Sequence, residues 1–238
     1  MIVVQEITSR NPISLAGYEA GVCYGADVTD AQKNYKRGLD CLESGHGRVL
    51  EFPQIYLEIS GYSARVIREL YTHISGAPTR LQASTRYIDY TNEGFDCIIP
   101  KSIEKNADAL QEWSNIMDGL QYDLGWMMEK YNIPKEDIAN GLPLGMTTKI
   151  VFRTNLRQLI DMSHQRLCSR AYWEFRKLML EIMEALSEYS DEWKEVIELS
   201  FKPKCDICGY CNEKRGCGKR PSKNEFNKAL QTLGYKPI

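Results

Sequence analysis

Gln82, Ser84 and Arg86 place an amide, a hydroxyl and a guanidinium two residues apart. In an extended segment such side chains share a face. Together they suit a phosphate and a polar ring, because an arginine fork can bond two oxygens at once. A triplet of this kind is, by itself, more often a solvent-facing strand edge. A second charged set is Arg166, Arg170 and Glu174, spaced i, i+4 and i+8 along a helix predicted from Asn155 to about Leu186. It falls inside the apolar arc of Leu156, Leu159, Ile160, Leu167 and Leu178. A buried guanidinium is costly unless a carboxylate or an anionic ligand meets it. Arg170 can pair with Glu174 one turn on. Arg166 stands beside Met162 and Trp173 with no acidic residue four positions away, which predicts that an anionic ligand answers its charge. The third set is Cys205-x2-Cys208-x2-Cys211-x5-Cys217. Four thiolates at this spacing can close a tetrahedral zinc site with Zn–S of about 2.3 Å, and a structural zinc is expected. An iron–sulfur cluster is the alternative, although the last spacing is long for it. Cys97 has no histidine near it in sequence; Cys168 has His164 a turn earlier but no third group to orient it, so both read as ordinary thiols.

The elements that must position these residues are legible in outline. Ile2 to Val4 reads as an edge strand. Thr29 to Ser44 reads as a helix, with Thr29 and Gln32 as a capping box and Gly45 as its end. Pro53 to Ser60 has strand composition, Tyr62 to Tyr71 is helical, and Gly76, Ala77 and Pro78 break the chain. Ala83 to Tyr90 alternates as a strand would. Ile103 to Lys130 forms a long helix carrying Leu110, Trp113, Met117, Leu120 and Leu124 on one stripe, and Pro134 opens a short helix that stops near Gly141. Asn155 caps the next helix, and Glu192 to Leu199 is helical. Strands early and long helices late predict an α+β fold with a mixed or antiparallel sheet. Residues 1–200 are expected as one domain and residues 201–238 as a basic, cysteine-rich tail.

A chain of 238 residues with net charge −2 is large enough to bury a full core and is not the basic chain expected of a general nucleic-acid binder. It has no apolar run of membrane-spanning length and no signal-like start, so a cytoplasmic protein is expected.

Thr72-His73-Ile74 followed by Gln82-Ala83-Ser84-Thr85-Arg86-Tyr87 resembles the signature of the flavin-dependent thymidylate synthases, arginine-histidine-arginine and then glutamate-x-serine-x-arginine-tyrosine. Three further segments match in order: Cys23-Tyr24, then His46-Gly47-Arg48-Val49-Leu50-Glu51, then Asn155-Leu156-Arg157-Gln158-Leu159 with Arg166 and Ala171-Tyr172-Trp173-Glu174. The resemblance spans about Cys23 to Arg176. It implies reductive methylation of dUMP at ring carbon five, with methylenetetrahydrofolate as carbon donor, NADPH as reductant and FAD as hydride relay. It also implies a homotetramer with active sites at subunit junctions. Carried over by position, Glu69, Gln82, Ser84, Thr85 and Arg86 would bind the nucleotide, and Arg166 would face the uracil and favour its ionised form. Arg48, Thr72, His73, Gln82, Asn155, Leu156, Arg157 and Asp161 would contact the flavin.

The departures from the family pattern remove positive charge. Thr72 and Ile74 replace two arginines, Ala139 stands where an arginine precedes the leucine-proline pair, and Gln82 replaces a glutamate. Arg80, Arg65 or Arg68 could restore some of it. These losses keep two alternatives in view: release of a hydroxymethyl nucleotide in place of dTMP, and a non-catalytic scaffold that binds nucleic acid through the tail.

Overall fold

The computed structural model describes residues 1–76 and 78–237. Its elements are β1 (Ile2–Val4), α1 (Pro12–Cys23), α2 (Ala31–Glu43), β2 (Gln54–Ser63), α3 (Ala64–Leu70), β3 (Thr79–Gln82), α4 (Lys101–Glu104), α5 (Ala107–Tyr131), α6 (Lys135–Ile138), β4 (Thr147–Asn155), α7 (Leu156–Arg166), α8 (Trp173–Tyr189), α9 (Asp191–Ser200), α10 (Lys204–Cys208) and α11 (Lys223–Thr232). The four strands form one sheet in the order β1-β2-β4-β3. The fold is α+β, as the sequence predicts. Among the described residues no helix is long and apolar enough to cross a membrane.

The chain divides into two compact units. One holds Met1, Glu58–His73 and Thr79–Phe152; the other holds Ile2–Leu57, Ile74–Pro78 and Arg153–Ile238. In the first, β4 alternates strictly. Thr148, Ile150 and Phe152 are buried while Lys149 and Val151 face out, the two-residue period of a strand covered on one side. Ser63 caps α3 by accepting a hydrogen bond from the Val66 amide at 3.2 Å.

In the second unit, α1 and α2 pack backbone to backbone through Gly17 and Gly38. A Cβ on Gly17 would stand 1.7 Å from the Asn34 carbonyl oxygen, and one on Gly38 would stand 1.9 Å from that of Ile13. The exposed amides at the start of α1 have no cap from Asn11. The Glu192 carboxylate of α9 accepts from the amides of Ile13 and Ser14 at 2.8 and 2.9 Å instead. Trp193, fully buried, donates its indole N–H to the Ser9 carbonyl at 2.8 Å. Phe175, Leu178, Met179, Ile182 and Leu186 of α8 complete this core.

Several expectations are corrected. The helix predicted from Asn155 to Leu186 is two helices, broken across residues 167–172. Arg166 closes α7, Arg170 lies exposed in the connection, and Glu174 is buried in the first turn of α8. They are therefore not three rungs of one helical face. The strand expected over Ala83 to Tyr90 lies earlier, at Thr79–Gln82, and Thr85 to Tyr87 form a turn that Ser84 precedes. The cap of α2 is Asp30, which accepts from the Gln32 and Lys33 amides, because the Thr29 hydroxyl is held by Asp27 at 2.7 Å. Gly45, at φ +74°, does follow the end of that helix. The helix expected from Ile103 is interrupted, α5 starting at its own cap, Asn106. Of the expected chain break, Ala77 lies outside the described residues.

Candidate active site

Most of the residues expected to bind nucleotide lie in the unit that holds β3. Here Arg80 and Gln82 are half-buried while Thr79 and Leu81 are exposed, so the guanidinium and the amide share a face. Arg80 donates to the carbonyl of His73 and stacks on the Tyr71 ring, 4.9 Å from its centre. Its Nε is buried with no hydrogen-bond partner, and burial pulls the guanidinium below its usual pKa. Arg80 thus puts a positive charge beside His73, where Thr72 and Ile74 put none. Thr72 itself turns its hydroxyl to the Glu69 carbonyl at 2.6 Å. The Gln82 amide nitrogen lies 3.4 Å from the Thr148 hydroxyl.

Ser84 folds the following segment into a turn. Its hydroxyl accepts from the Arg86 amide at 3.2 Å, and its carbonyl accepts from the amides of Tyr87 and Ile88. The expected strand face of Gln82, Ser84 and Arg86 does not exist; a strand end and a compact turn carry them. Thr85 sits in the same turn. Arg86 makes an exposed ion pair with Glu136 at 3.2 Å. Such a pair is worth about 0–1 kcal/mol, so an anionic ligand can take the guanidinium over at small cost.

Asp89 locks the far end of that turn. Its carboxylate accepts from the Thr91 hydroxyl at 2.7 Å, from the amides of Thr91 and Asn92, and from Lys135 at 3.1 Å. The Thr91 hydrogen bond, foremost, holds its pKa well below the usual carboxylate range. A folded-state pKa depressed in this way gives stability that is fully present above the unfolded value of about 3.9 and is lost as pH falls through the folded value. Thermal melts at stepped pH should therefore show wild type losing more stability below about pH 4 than Asp89→Asn, which starts lower at neutral pH. Identical pH slopes for the two would remove this role.

The other unit holds the segment around Arg48 and the start of α7. Asn155, 6% exposed, caps α7 by accepting from the Gln158 amide at 2.9 Å and points its amide nitrogen at the Gly76 carbonyl, 3.4 Å away. Leu156 is a core side chain, 1% exposed, so only its backbone is available to a ligand. Arg157 and Asp161 lie one helical turn apart on an exposed face. They line a cavity of about 390 Å³ that also takes in Gly47, with Leu42, Leu50 and Ile160 as its apolar part. Arg157 meets Glu51 at 2.6 Å, and the largely exposed Arg48 meets the same carboxylate at 3.7 Å. Two guanidiniums on one carboxylate leave one positive charge, which the Asp161 carboxylate on the cavity wall balances. Gly47 matters by close approach, since a Cβ there would lie 3.0 Å from Arg157 Nε. This set offers a ligand an apolar wall, one guanidinium and one carboxylate. Arg166 is half-buried at the end of α7, its guanidinium 4.3 Å from the centre of the Phe175 ring.

The family of the chain follows from its likeness to known proteins. The family model described as thymidylate synthase complementing protein matches residues 6–190. The flavin-dependent thymidylate synthase of Pyrococcus horikoshii is 33% identical over 186 residues, 75% of each chain. The chain belongs to the flavin-dependent thymidylate synthase family. The synthase of Pyrococcus furiosus is 30% identical over 202 residues, 82% of this chain and 80% of that protein. A family member of known structure, the flavin-dependent thymidylate synthase of Helicobacter pylori complexed with FAD and dUMP, shares the fold. Its TM-score is 0.63 at 18% identity, and the likeness covers 82% of this chain and 98% of that one.

The cysteines depart from expectation. Among the described residues, no three of His, Cys, Asp and Glu are grouped to hold a metal ion. Cys208 turns its sulfur to the carbonyls of Lys204 and Tyr210, at 3.2 and 3.1 Å, so the four-cysteine zinc cage is not assembled. Cys97 and Cys168 are free thiols; burial pushes the Cys97 thiol up, and His164 contacts the Ser200 carbonyl at 3.3 Å. Neither has the setting of an activated nucleophile. Sequence reasoning named Arg80 only as one of three replacements for the lost charge; its distinguishing signal was its place two residues before Gln82, on the same strand face.

Proposed function

We propose that this chain makes dTMP from dUMP, taking the one-carbon unit from methylenetetrahydrofolate and electrons from NADPH, with FAD as its resident cofactor. The observation that carries the reading is the cavity lined by Gly47, Arg157 and Asp161. Arg157 and Asp161 are two of the flavin positions that the family resemblance implies, and the cavity adds an apolar wall of Leu42, Leu50 and Ile160 and the guanidinium of Arg157, a partner for an anionic diphosphate. When bound, FAD supplies hydride transfer.

In this reading Arg48, Thr72, His73, Gln82, Asn155, Leu156, Arg157 and Asp161 hold the flavin. Asn155 does so from a fixed cap, and Leu156 acts through its backbone. Glu69, Gln82, Ser84, Thr85 and Arg86 hold the nucleotide. The Ser84 turn offers a hydroxyl and, once Arg86 leaves Glu136, a fork for the phosphate. Arg166 holds its cation at the uracil and stabilises the base with N3 deprotonated, as a fixed charge in a dry site can. Arg80 restores charge next to His73, which favours dTMP over the hydroxymethyl product. Assembly is proposed as a homotetramer. Of the 25 residues of α5, Leu124 alone is buried within the chain, while Ile116, Tyr122 and Trp126 stay exposed, as a helix awaiting a second subunit would be.

Two expected results follow. Expression of this chain should let a bacterial strain without thymidylate synthase grow in the absence of thymidine; failure of well-expressed, folded protein to do so would contradict the reading. Arg157→Ala should weaken FAD binding about tenfold or more, since a charge-assisted contact is lost. It should leave the melting temperature nearly unchanged, because its half-exposed pair with Glu51 is worth about 0–1 kcal/mol. Flavin fluorescence quenching measures the first quantity and a thermal melt the second.

A further inference from the structure

The tail that follows the family's matched span, residues 6–190, carries cysteines that the synthase reading does not use. Cys205, Cys211 and Cys217 line a cavity of about 480 Å³, and the fourth cysteine on its wall is Cys168, from the connection between α7 and α8. Cys208 is not on that wall, its sulfur being turned to two backbone carbonyls. Ser169, next to Cys168, lines the same cavity as Cys205, Cys211 and Cys217. Local structure holds the set in place. The Cys211 amide donates to the Pro221 carbonyl at 2.7 Å, and a capping box of Ser222 and Glu225 starts α11 immediately after.

We propose that Cys168, Cys205, Cys211 and Cys217 ligate an iron–sulfur cluster, with Cys208 outside the ligand set. A tetrahedral zinc with bonds of about 2.3 Å requires its four sulfurs to stand about 3.8 Å apart. The described residues offer no such grouping for a single ion, yet four cysteines line one cavity. A cluster interposes irons and sulfides between its thiolates, so it needs that space and tolerates wider separations. Four thiolates also need positive surroundings. Arg170, Lys204 and Lys219 line the same cavity, against the one carboxylate of Glu213. The cluster ties the tail to the connection that begins one residue after Arg166. Pairing Cys168 with the tail is invisible in the Cys-x2-Cys-x2-Cys spacing, which would have enlisted Cys208.

The test uses the full chain, purified without oxygen and then incubated with ferric iron, dithiothreitol as reductant, and sulfide. Iron and acid-labile sulfide are assayed per chain, because bound flavin would obscure the visible spectrum, and Mössbauer spectroscopy identifies the iron. Wild type should hold iron and sulfide in equal amounts, Cys208→Ala should keep them, and Cys168→Ala should lose most of both. Circular dichroism and a thermal melt show whether Cys168→Ala is folded; if it is not, Cys217→Ala, whose cysteine is exposed, replaces it. Wild type that takes up zinc without sulfide, or takes up no metal, overturns the proposal. So does a Cys208→Ala variant that loses as much iron as Cys168→Ala. None of these readouts depends on whether the chain makes dTMP.

Discussion

Arg166→Ala is expected to cut dTMP formation by about a hundredfold or more, the usual scale for removing one preorganised charge from a developing anion. The loss should fall on turnover more than on folding. The structural contacts at stake include stacking on Phe175 at 4.3 Å, worth about 0.5–1 kcal/mol, and a cation at the C-terminal end of α7. Arg166→Lys keeps the charge and loses the planar fork, so it should recover stability better than activity. Arg170→Ala provides the contrast. Arg170 is exposed in the connection outside both helices, so its removal should change stability by no more than about 0.5 kcal/mol. Melting temperature, dUMP affinity and turnover of the three variants separate these roles. An Arg166→Ala protein that melts far below wild type yet turns over normally when folded would make Arg166 structural.

The second large effect is on folding. Gly38→Ala should destabilise the chain by about 3 kcal/mol or more, at the upper end of what overpacking costs. The reason is that the atom met is backbone. The new Cβ would sit 1.9 Å from the Ile13 carbonyl oxygen, and no rotamer change can move it away. The helices α1 and α2 must separate, and α2 leads directly into the segment of Gly47 and Arg48. FAD affinity should therefore fall along with stability. Denaturant titration of wild type and variant measures the cost. A midpoint within experimental scatter of wild type would show that the two helices do not need this contact.

The legible parts of the fold were those where one residue's chemistry acts locally. Asn155 was readable as a cap because an Asx side chain before a helix satisfies an otherwise unpaired amide, and the structure has that bond. The strand over Pro53 to Ser60 was readable from β-branched and aromatic composition. By contrast, α1 went unread because Ala16, Gly17, Ala20 and Gly21 give it a buried face of small residues with little apolar contrast. The strand Thr147–Asn155 alternates clearly and could have been found. The break after Arg166 left no local trace: Leu167 to Tyr172 contain neither glycine nor proline, so the turn depends on tertiary packing. For the site, the ordered motifs carried the family resemblance. The sequence could not show that Arg86 rests on Glu136, that Arg80 reaches His73, or that Cys208 turns away from its neighbours, because each depends on contacts made only in the folded chain.

The measurement closest to the central claim is the mass of the nucleotide formed when the full chain is incubated with dUMP, methylenetetrahydrofolate, FAD and NADPH. The account predicts that dUMP gains one CH2, giving dTMP, and that carbon-13 in the folate methylene appears in the product methyl group. Unchanged dUMP from folded, flavin-loaded protein, or a product carrying CH2OH in place of CH3, would contradict it.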